Sequence, residues 1–270
     1  MNLRSMDGRV FYREWACNDP KGIIILVHGL GGYSGRFTEM GGYLCQRGLK
    51  VYAIELKGFG ESPAIKGHVS DFDVYSRELK LLVEQAKSEN PHKKIFMFGE
   101  SLGGLITLNF GLKYQDMLTG MILVSPAIKD KLSVSLLKRA KIMLAAIRAP
   151  LQHFDISFDA AVFTRDPNMI KKINEDPLEV RSFSARFLLA SLMTLINVNL
   201  NAKKFNIPTL MLLAGRDKMI SAEAAAAYFK KMSSKDKELK WYPEMYHALY
   251  VDRDREKVFE DIVNWISKRV

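Results

Sequence analysis

The stretch KIFMFGESLGG at residues 94–104 decides how this chain folds. Its first half, KIFMFG (94–99), is apolar at successive positions with no helical stripe, as expected of a strand covered on both faces. A helical pattern begins at Leu102 and runs to Tyr114. Between them stands Gly99-Glu100-Ser101-Leu102-Gly103, a G-x-S-x-G pattern in a strand–turn–helix context. A turn this tight holds its central residue in a strained backbone conformation. Glycines on either side leave room that a β-carbon would fill. The Ser101 hydroxyl is then offered at a helix N-terminus, where the dipole favours developing negative charge. The alternative is a small-residue helix start with no chemical role.

Outward from this point the same alternation recurs. Short runs apolar on both faces lie at 22–29 (GIIILVHG), 50–55 (KVYAIE), 121–126 (MILVSP) and 209–215 (TLMLLAG). Helical patterns lie at 37–47, 72–88, 102–114, 222–232 and 255–268. Strand–helix–strand repetition predicts an α/β fold with a mostly parallel, doubly wound sheet. Asp7-Gly8, between 3–6 and 9–15, is a hairpin signal, so the sheet should open with an antiparallel pair. After Pro126 the next strand waits until Thr209, far beyond the needs of one crossover helix. Residues 128–203 are therefore expected to be an inserted helical cap, or lid, on a core made of 1–127 and 204–270. The cap patterns LSVSLLKRAKIMLAAIRAPL (132–151) and SARFLLASLMTLINV read as helices, interrupted at Pro150, Pro167 and Pro177. An insertion at the carboxyl end of a strand lies above the sheet, where such folds bind ligands.

Composition sets outer bounds. The 270 residues, 48% of them apolar, suit one α/β domain with a large core. The net charge of +10 suits anionic membrane surfaces or nucleic acid, but equally plain solubility. No nucleic-acid partner is expected. Cys17 and Cys45 lie in different elements with no metal-ligand or CxxC spacing, which argues against a disulfide framework and for a reducing compartment. Without an apolar leader in residues 1–13 or a long apolar run, a cytoplasmic location is expected.

A serine hydroxyl needs a base before it attacks. His247, in YPEMYHALY between the strand 238–242 and the last helix, lies at the carboxyl edge where the base must stand. His28, in VHGLGG, is the alternative, although a histidine there more often partners nearby backbone. His92, His68 and His153 lie in a polar loop, in the loop before the second helix and in the insertion. The orienting carboxylate should follow a strand between Ser and His, and Asp217 in LLAGRDKMI does so; its other reading is a surface turn. Asp252 and Asp254 come after His247 and fit this order poorly. Such a carboxylate fixes the imidazole tautomer and stabilises the imidazolium. The glycine-rich turn His28-Gly29-Leu30-Gly31-Gly32 can aim backbone N–H groups at an oxyanion. Leu30 and Leu102 are the expected donors. As a phosphate loop the turn lacks a GK[ST] ending.

With those residues in place, the sequence resembles the monoacylglycerol lipase and lysophospholipase branch of the α/β-hydrolase superfamily. The resemblance runs through HGLGGYSGRF (28–37), GFGES (58–62), GHVSDFDVY (67–75), GESLGG (99–104), SPAI (125–128), AGRDKMI (214–220) and the final VNWI (263–266). It implies an α/β-hydrolase fold and two-step acyl transfer by Ser101, His247 and Asp217, with no metal or organic cofactor. The chain departs from the branch at Glu55, where Asp is usual, at Phe59 within Gly-Phe-Gly, where His is usual, and at Leu102, often Met. The cap is its least similar part.

The expected substrate is a single-chain lipid ester. A carboxylesterase for short acyl or aryl esters and a ligand receptor on a retained hydrolase fold are the alternatives. Peptidase activity would rest on fold analogy alone. In the cap, Leu136, Leu137, Ala140, Leu144 and Ile147 fall at helical spacing, with Lys138, Arg139 and Lys141 on other faces. That stripe suits internal packing or an acyl channel, and the basic cap offers a surface for peripheral membrane contact.

Overall fold

A computed structural model describes residues 2–131, 135–156 and 158–270. Strands β1 (Arg4–Met6) and β2 (Val10–Trp15) form the opening hairpin. At its turn Asp7 and Gly8 have φ of 49° and 65°, and Arg9 N–H donates to Met6 O at 2.9 Å. Two successive positive φ values match the right-handed twist of the paired strands, which is why Asp-Gly suits this turn. There follow β3 (Gly22–Val27), α1 (Thr38–Gln46), β4 (Leu49–Glu55), α2 (Asp73–Glu89), β5 (Ile95–Glu100), α3 (Leu102–Tyr114) and β6 (Gly120–Val124). Next come α4 (Leu136–Arg148), β7 (His153–Asp155), α5 (Pro167–Glu175), β8 (Ser182–Ser184) and α6 (Ala185–Leu200). The chain ends with β9 (Thr209–Ala214), α7 (Ala222–Lys231), β10 (Lys237–Tyr242) and α8 (Arg255–Ser267).

Eight strands make one sheet in the order β1-β2-β4-β3-β5-β6-β9-β10. From β4 to β10 all pairings are parallel, while β2 runs antiparallel to both β1 and β4. This is the α/β-hydrolase arrangement, a mixed and mostly parallel sheet between helices. The double-sided burial of its strands follows from the alternation of side chains along each one. Ile23, Ile25 and Val27 join one core with Leu79 and Leu82 of α2 and Leu105 and Leu108 of α3. Ile24 and Leu26 point the other way, into a core with Leu44 of α1 and Val258, Phe259, Ile262 and Trp265 of α8. Each such fully buried aliphatic side chain contributes roughly 1.5–3 kcal/mol. Because the central strands are parallel, the loops that leave β3, β5, β6, β9 and β10 all emerge at one edge.

The elements between β6 and β9 lie outside that sheet, and among the described residues β7 pairs only with β8. The apolar stripe of α4 behaves differently from either expectation. Leu136 and Leu137 are each 83% exposed and Ile147 is 78% exposed. The helix instead turns Ala145 and Ala146 inward, against Ala185, Leu189 and Phe154. Small side chains let two helices approach closely, so the alanine face, not the leucine face, became the packing surface. Residues 132–134 of the expected helix lie outside the described residues.

One buried carboxyl departs from the apolar rule. Glu78 of α2 is 9% exposed, and burial pushes its pKa up to about 7 although the charge and backbone N–H of Lys57 pull it down. Its folded pKa therefore exceeds its unfolded value of 4.5, so the native state keeps a proton that the unfolded chain has released. Stability from this group is full below the unfolded value and is lost as pH rises towards the folded one. Converting the shift gives about 3 kcal/mol at pH 8. Glu78→Gln should accordingly raise the melting temperature at pH 8 by roughly 5 °C or more, with little effect at pH 4. Melts that show the same difference at both pH values would contradict this account.

Candidate active site

Ser101 occupies the turn between β5 and α3 with φ 52° and ψ −114°. Its backbone is fixed on three sides. Ser101 N–H donates to Val124 O at 3.0 Å, and Ser101 O accepts from Leu105 N–H at 3.2 Å and Ala127 N–H at 3.0 Å. The flanking glycines are required by contact. A β-carbon at 99 would fall 2.4 Å from Gly103 O, and one at 103 would fall 2.2 Å from Val27 O. Positive φ at a residue other than glycine costs about 1–3 kcal/mol and persists only where surrounding structure imposes it.

His247 stands in the loop after β10 and Asp217 in the loop after β9, both nearly fully buried. His247 Nδ1–H donates to Asp217 Oδ2 at 2.7 Å, while Asp217 Oδ1 accepts from Met219 N–H at 2.8 Å and Ile220 N–H at 2.9 Å. This leaves Nε2 as the accepting nitrogen, the tautomer a general base needs. Burial works against the charged imidazole, but the hydrogen bond and charge of Asp217, with the charge of Glu100, outweigh it and raise the His247 pKa. Burial likewise works against the Asp217 carboxylate, yet His247 and the two N–H donors hold its pKa below the usual value.

The His247 loop is braced from below. Asp252 is fully buried, and its Oδ2 accepts Tyr246 N–H at 2.8 Å while its Oδ1 accepts Arg165 N–H at 2.7 Å. The Arg165 side chain adds an ion pair at 3.0 Å, and Thr164 Oγ donates to Val251 O at 3.0 Å. Ala248 N–H reaches Phe163 O at 2.9 Å, so residues 163–165 and the imidazole loop are tied together.

His28 takes the other role that its position allowed. It is fully buried, its Nε2 accepts Leu56 N–H at 3.2 Å, and its Nδ1–H donates to Gly29 O at 3.0 Å. Burial lowers its pKa to about 4, so the ring is neutral and pins the glycine-rich turn to the end of β4. Glu55 continues the bracing, accepting Ser34 N–H at 2.8 Å and Glu61 N–H at 2.6 Å. An Asp, one methylene shorter, would have to reach both donors from farther back.

Ser101, His247, Leu30 and Leu102 border one cavity of about 220 Å³. The segment between β6 and β9 lines it with apolar side chains, among them Ile156, Phe163, Phe183, Phe187 and Leu195. None comes from α4. Polar side chains in its lining include Arg36, Glu100 and Tyr250 and, from the intervening segment, Glu179 and Arg181, and Arg36 is ion-paired with Glu179. Glu55, Glu100 and Asp252 have places here that the sequence reading did not assign. The available signal was an acidic residue at the end of an otherwise apolar strand, as at Glu55 and Glu100.

A strand–turn–helix elbow bearing Ser101 and a hydrogen-bonded imidazole and carboxylate at the carboxyl edge of this sheet accompany the α/β-hydrolase fold. Within it, residues 18–254 match the family described as "Serine aminopeptidase, S33", and the chain belongs to that family. The chain is 26% identical over 263 residues to a monoacylglycerol lipase of Mycolicibacterium smegmatis, covering 96% of this chain and 92% of that protein. It is 28% identical over 256 residues to an uncharacterized abhydrolase domain-containing protein of Dictyostelium discoideum, covering 93% of this chain but spanning only 27% of that larger protein. Among solved structures, the monoacylglycerol lipase of Paleococcus ferrophilus superposes with a TM-score of 0.88 at 26% identity, over 97% of this chain and 99% of that one. The chain is thus an ester hydrolase similar to monoacylglycerol lipases. Among the described residues, no helix is long and apolar enough to cross a membrane.

Proposed function

We propose that the protein cleaves single-chain acyl esters of the monoacylglycerol or lysophospholipid kind through an acyl-enzyme on Ser101. The observation that carries this reading is the cavity beside Ser101 and His247, lined by apolar side chains such as Leu105, Phe163, Phe183, Phe187 and Leu195 and by polar ones at Arg36, Glu100, Glu179 and Tyr250. An acyl chain suits the apolar side chains and a small hydroxylated head group the polar ones. Ser101 attacks the ester carbonyl as His247 Nε2 accepts its proton. The N–H groups of Leu30 and Leu102 receive the oxyanion. His247 then protonates the leaving alcohol, and water repeats the sequence to release the acid.

In this reading residues 128–203 act as a cap that selects the acyl chain. The exposed Leu136, Leu137 and Ile147, with Lys138 and Lys141 on the same helix, give it a surface suited to resting on anionic lipid. The test is a chain-length series of p-nitrophenyl esters beside a monoacylglycerol, with mass-spectrometric mapping of a fluorophosphonate adduct. Labelling of Ser101 and turnover of the monoacylglycerol are the expected results. A rate peaking at acetate or butyrate, with the monoacylglycerol untouched, would instead favour a short-chain carboxylesterase. An unlabelled Ser101 would favour a ligand receptor.

A further inference from the structure

Glu100 immediately precedes the proposed nucleophile, and its carboxylate is almost wholly removed from water. Its Oε1 lies 3.7 Å from His247 Nε2, on the side of the ring away from Asp217, and its side chain is 7% exposed. The carboxylate also reaches beneath the glycine-rich turn: a β-carbon at Gly29 would fall 2.2 Å from Oε2. Glycine at 29 is what lets the carboxylate lie there. Few arrangements set a buried acid so near the nitrogen that must gain a proton.

We propose that Glu100 is a positioning residue for ester hydrolysis, acting through His247 to stabilise the imidazolium that forms when Ser101 gives up its proton. The inference rests on the assignment of Ser101, His247 and Asp217 as the reacting set. Its physical basis is differential. In the resting state Nε2 presents a lone pair, which an ionised Glu100 does not favour. Once the proton arrives, the same carboxylate faces a cation and attracts it. An interaction stronger in the charged state than in the neutral one lowers the barrier without tightening substrate binding.

The ionisable groups facing this pair come from several elements. Asp217 stands on the loop after β9, Arg36 on the turn before α1 and Tyr250 on the segment after His247, while Glu179, on the segment between β6 and β9, is ion-paired with Arg36. Burial raises the Glu100 pKa, while His247, Arg36 and the Gly29 N–H favour its ionised form and Asp217 opposes it.

The test is Glu100→Gln, which keeps the shape and an acceptor for Gly29 N–H while removing the charge. The expected result is a kcat lowered about tenfold with KM within about twofold, and an acid limb of the kcat/KM profile moved to lower pH. Glu100→Asp, which retains the charge on a shorter arm, should restore the limb towards its original position. An unmoved acid limb in Glu100→Gln, or a loss of activity that follows only a loss of thermal stability, would overturn the proposal. So would failure of both variants to fold, since the carboxylate would then be structural. Ser101→Ala assayed in parallel separates the two levels. Turnover that survives at 101 defeats the reacting set itself, whereas a dead Ser101→Ala with a pH-invariant Glu100→Gln defeats only the role of Glu100.

Discussion

Ser101→Ala is expected to lower ester turnover by about 10⁶-fold and to abolish fluorophosphonate labelling. The alanine variant keeps the elbow, because the backbone bonds to Val124, Leu105 and Ala127 do not involve the hydroxyl. It also keeps the strain, since alanine at φ 52° is no better placed than serine. Ser101→Gly separates the two effects. Turnover should be equally lost, but glycine tolerates this backbone region and should be about 1 kcal/mol more stable than the alanine variant after its larger chain entropy is counted. That corresponds to roughly 2–4 °C in melting temperature. Residual hydrolysis near the parent rate in either variant would remove Ser101 from the mechanism. A glycine variant no more stable than alanine would remove the claim of strain.

Asp217→Asn should lower kcat by about 10⁴-fold with little change in fold. The reason lies in how the amide must sit. Asp217 Oδ1 accepts two backbone N–H groups, from Met219 and Ile220, so the amide oxygen of asparagine is fixed at that position. Its NH₂ then faces His247 Nδ1, where the carboxylate Oδ2 had accepted a hydrogen bond from Nδ1–H. The imidazole must respond by carrying its proton on Nε2, and it can no longer take one from Ser101. The acid limb should also move to lower pH, because the largest influence raising the His247 pKa is lost. Steady-state rates across pH, with circular dichroism to check folding, measure both effects. A loss of less than about tenfold would place the orienting carboxylate elsewhere.

Local features were legible in the sequence because their causes are local. The elbow needs glycine at 99 and 103 for contacts within a few residues and with the neighbouring β3, and central strands such as β3 and β6 are apolar throughout because both of their faces are covered. The hairpin at Asp7-Gly8 is legible for the same reason. Contacts between distant residues were not. Nothing in the order of residues says that Asp252 reaches Arg165, or that Glu100 lies beside His247. The stripe on α4 misled because periodicity identifies an apolar face without saying whether anything covers it, and two alanines made the closer contact. Between β6 and β9 the helical pattern concealed β7 and β8, each three residues long and too short to show alternation. Cys17 and Cys45, far apart in sequence, are brought near enough that Cys45 adds to burial in raising the Cys17 pKa, although both are free.

The buried carboxylate of Asp252 carries a consequence for anyone exchanging the stretch between β6 and β9 for that of a relative. It serves two masters, receiving Tyr246 N–H from the loop that bears His247 and the backbone and guanidinium of Arg165 from the stretch to be replaced. A donor sequence lacking a guanidinium at that point would leave the buried carboxylate beneath the His247 loop without its cationic partner. Grafts chosen only to reshape the cavity lining would therefore lose reactivity together with the selectivity they meant to alter, unless Thr164 and Arg165 travel with the recipient rather than the donor.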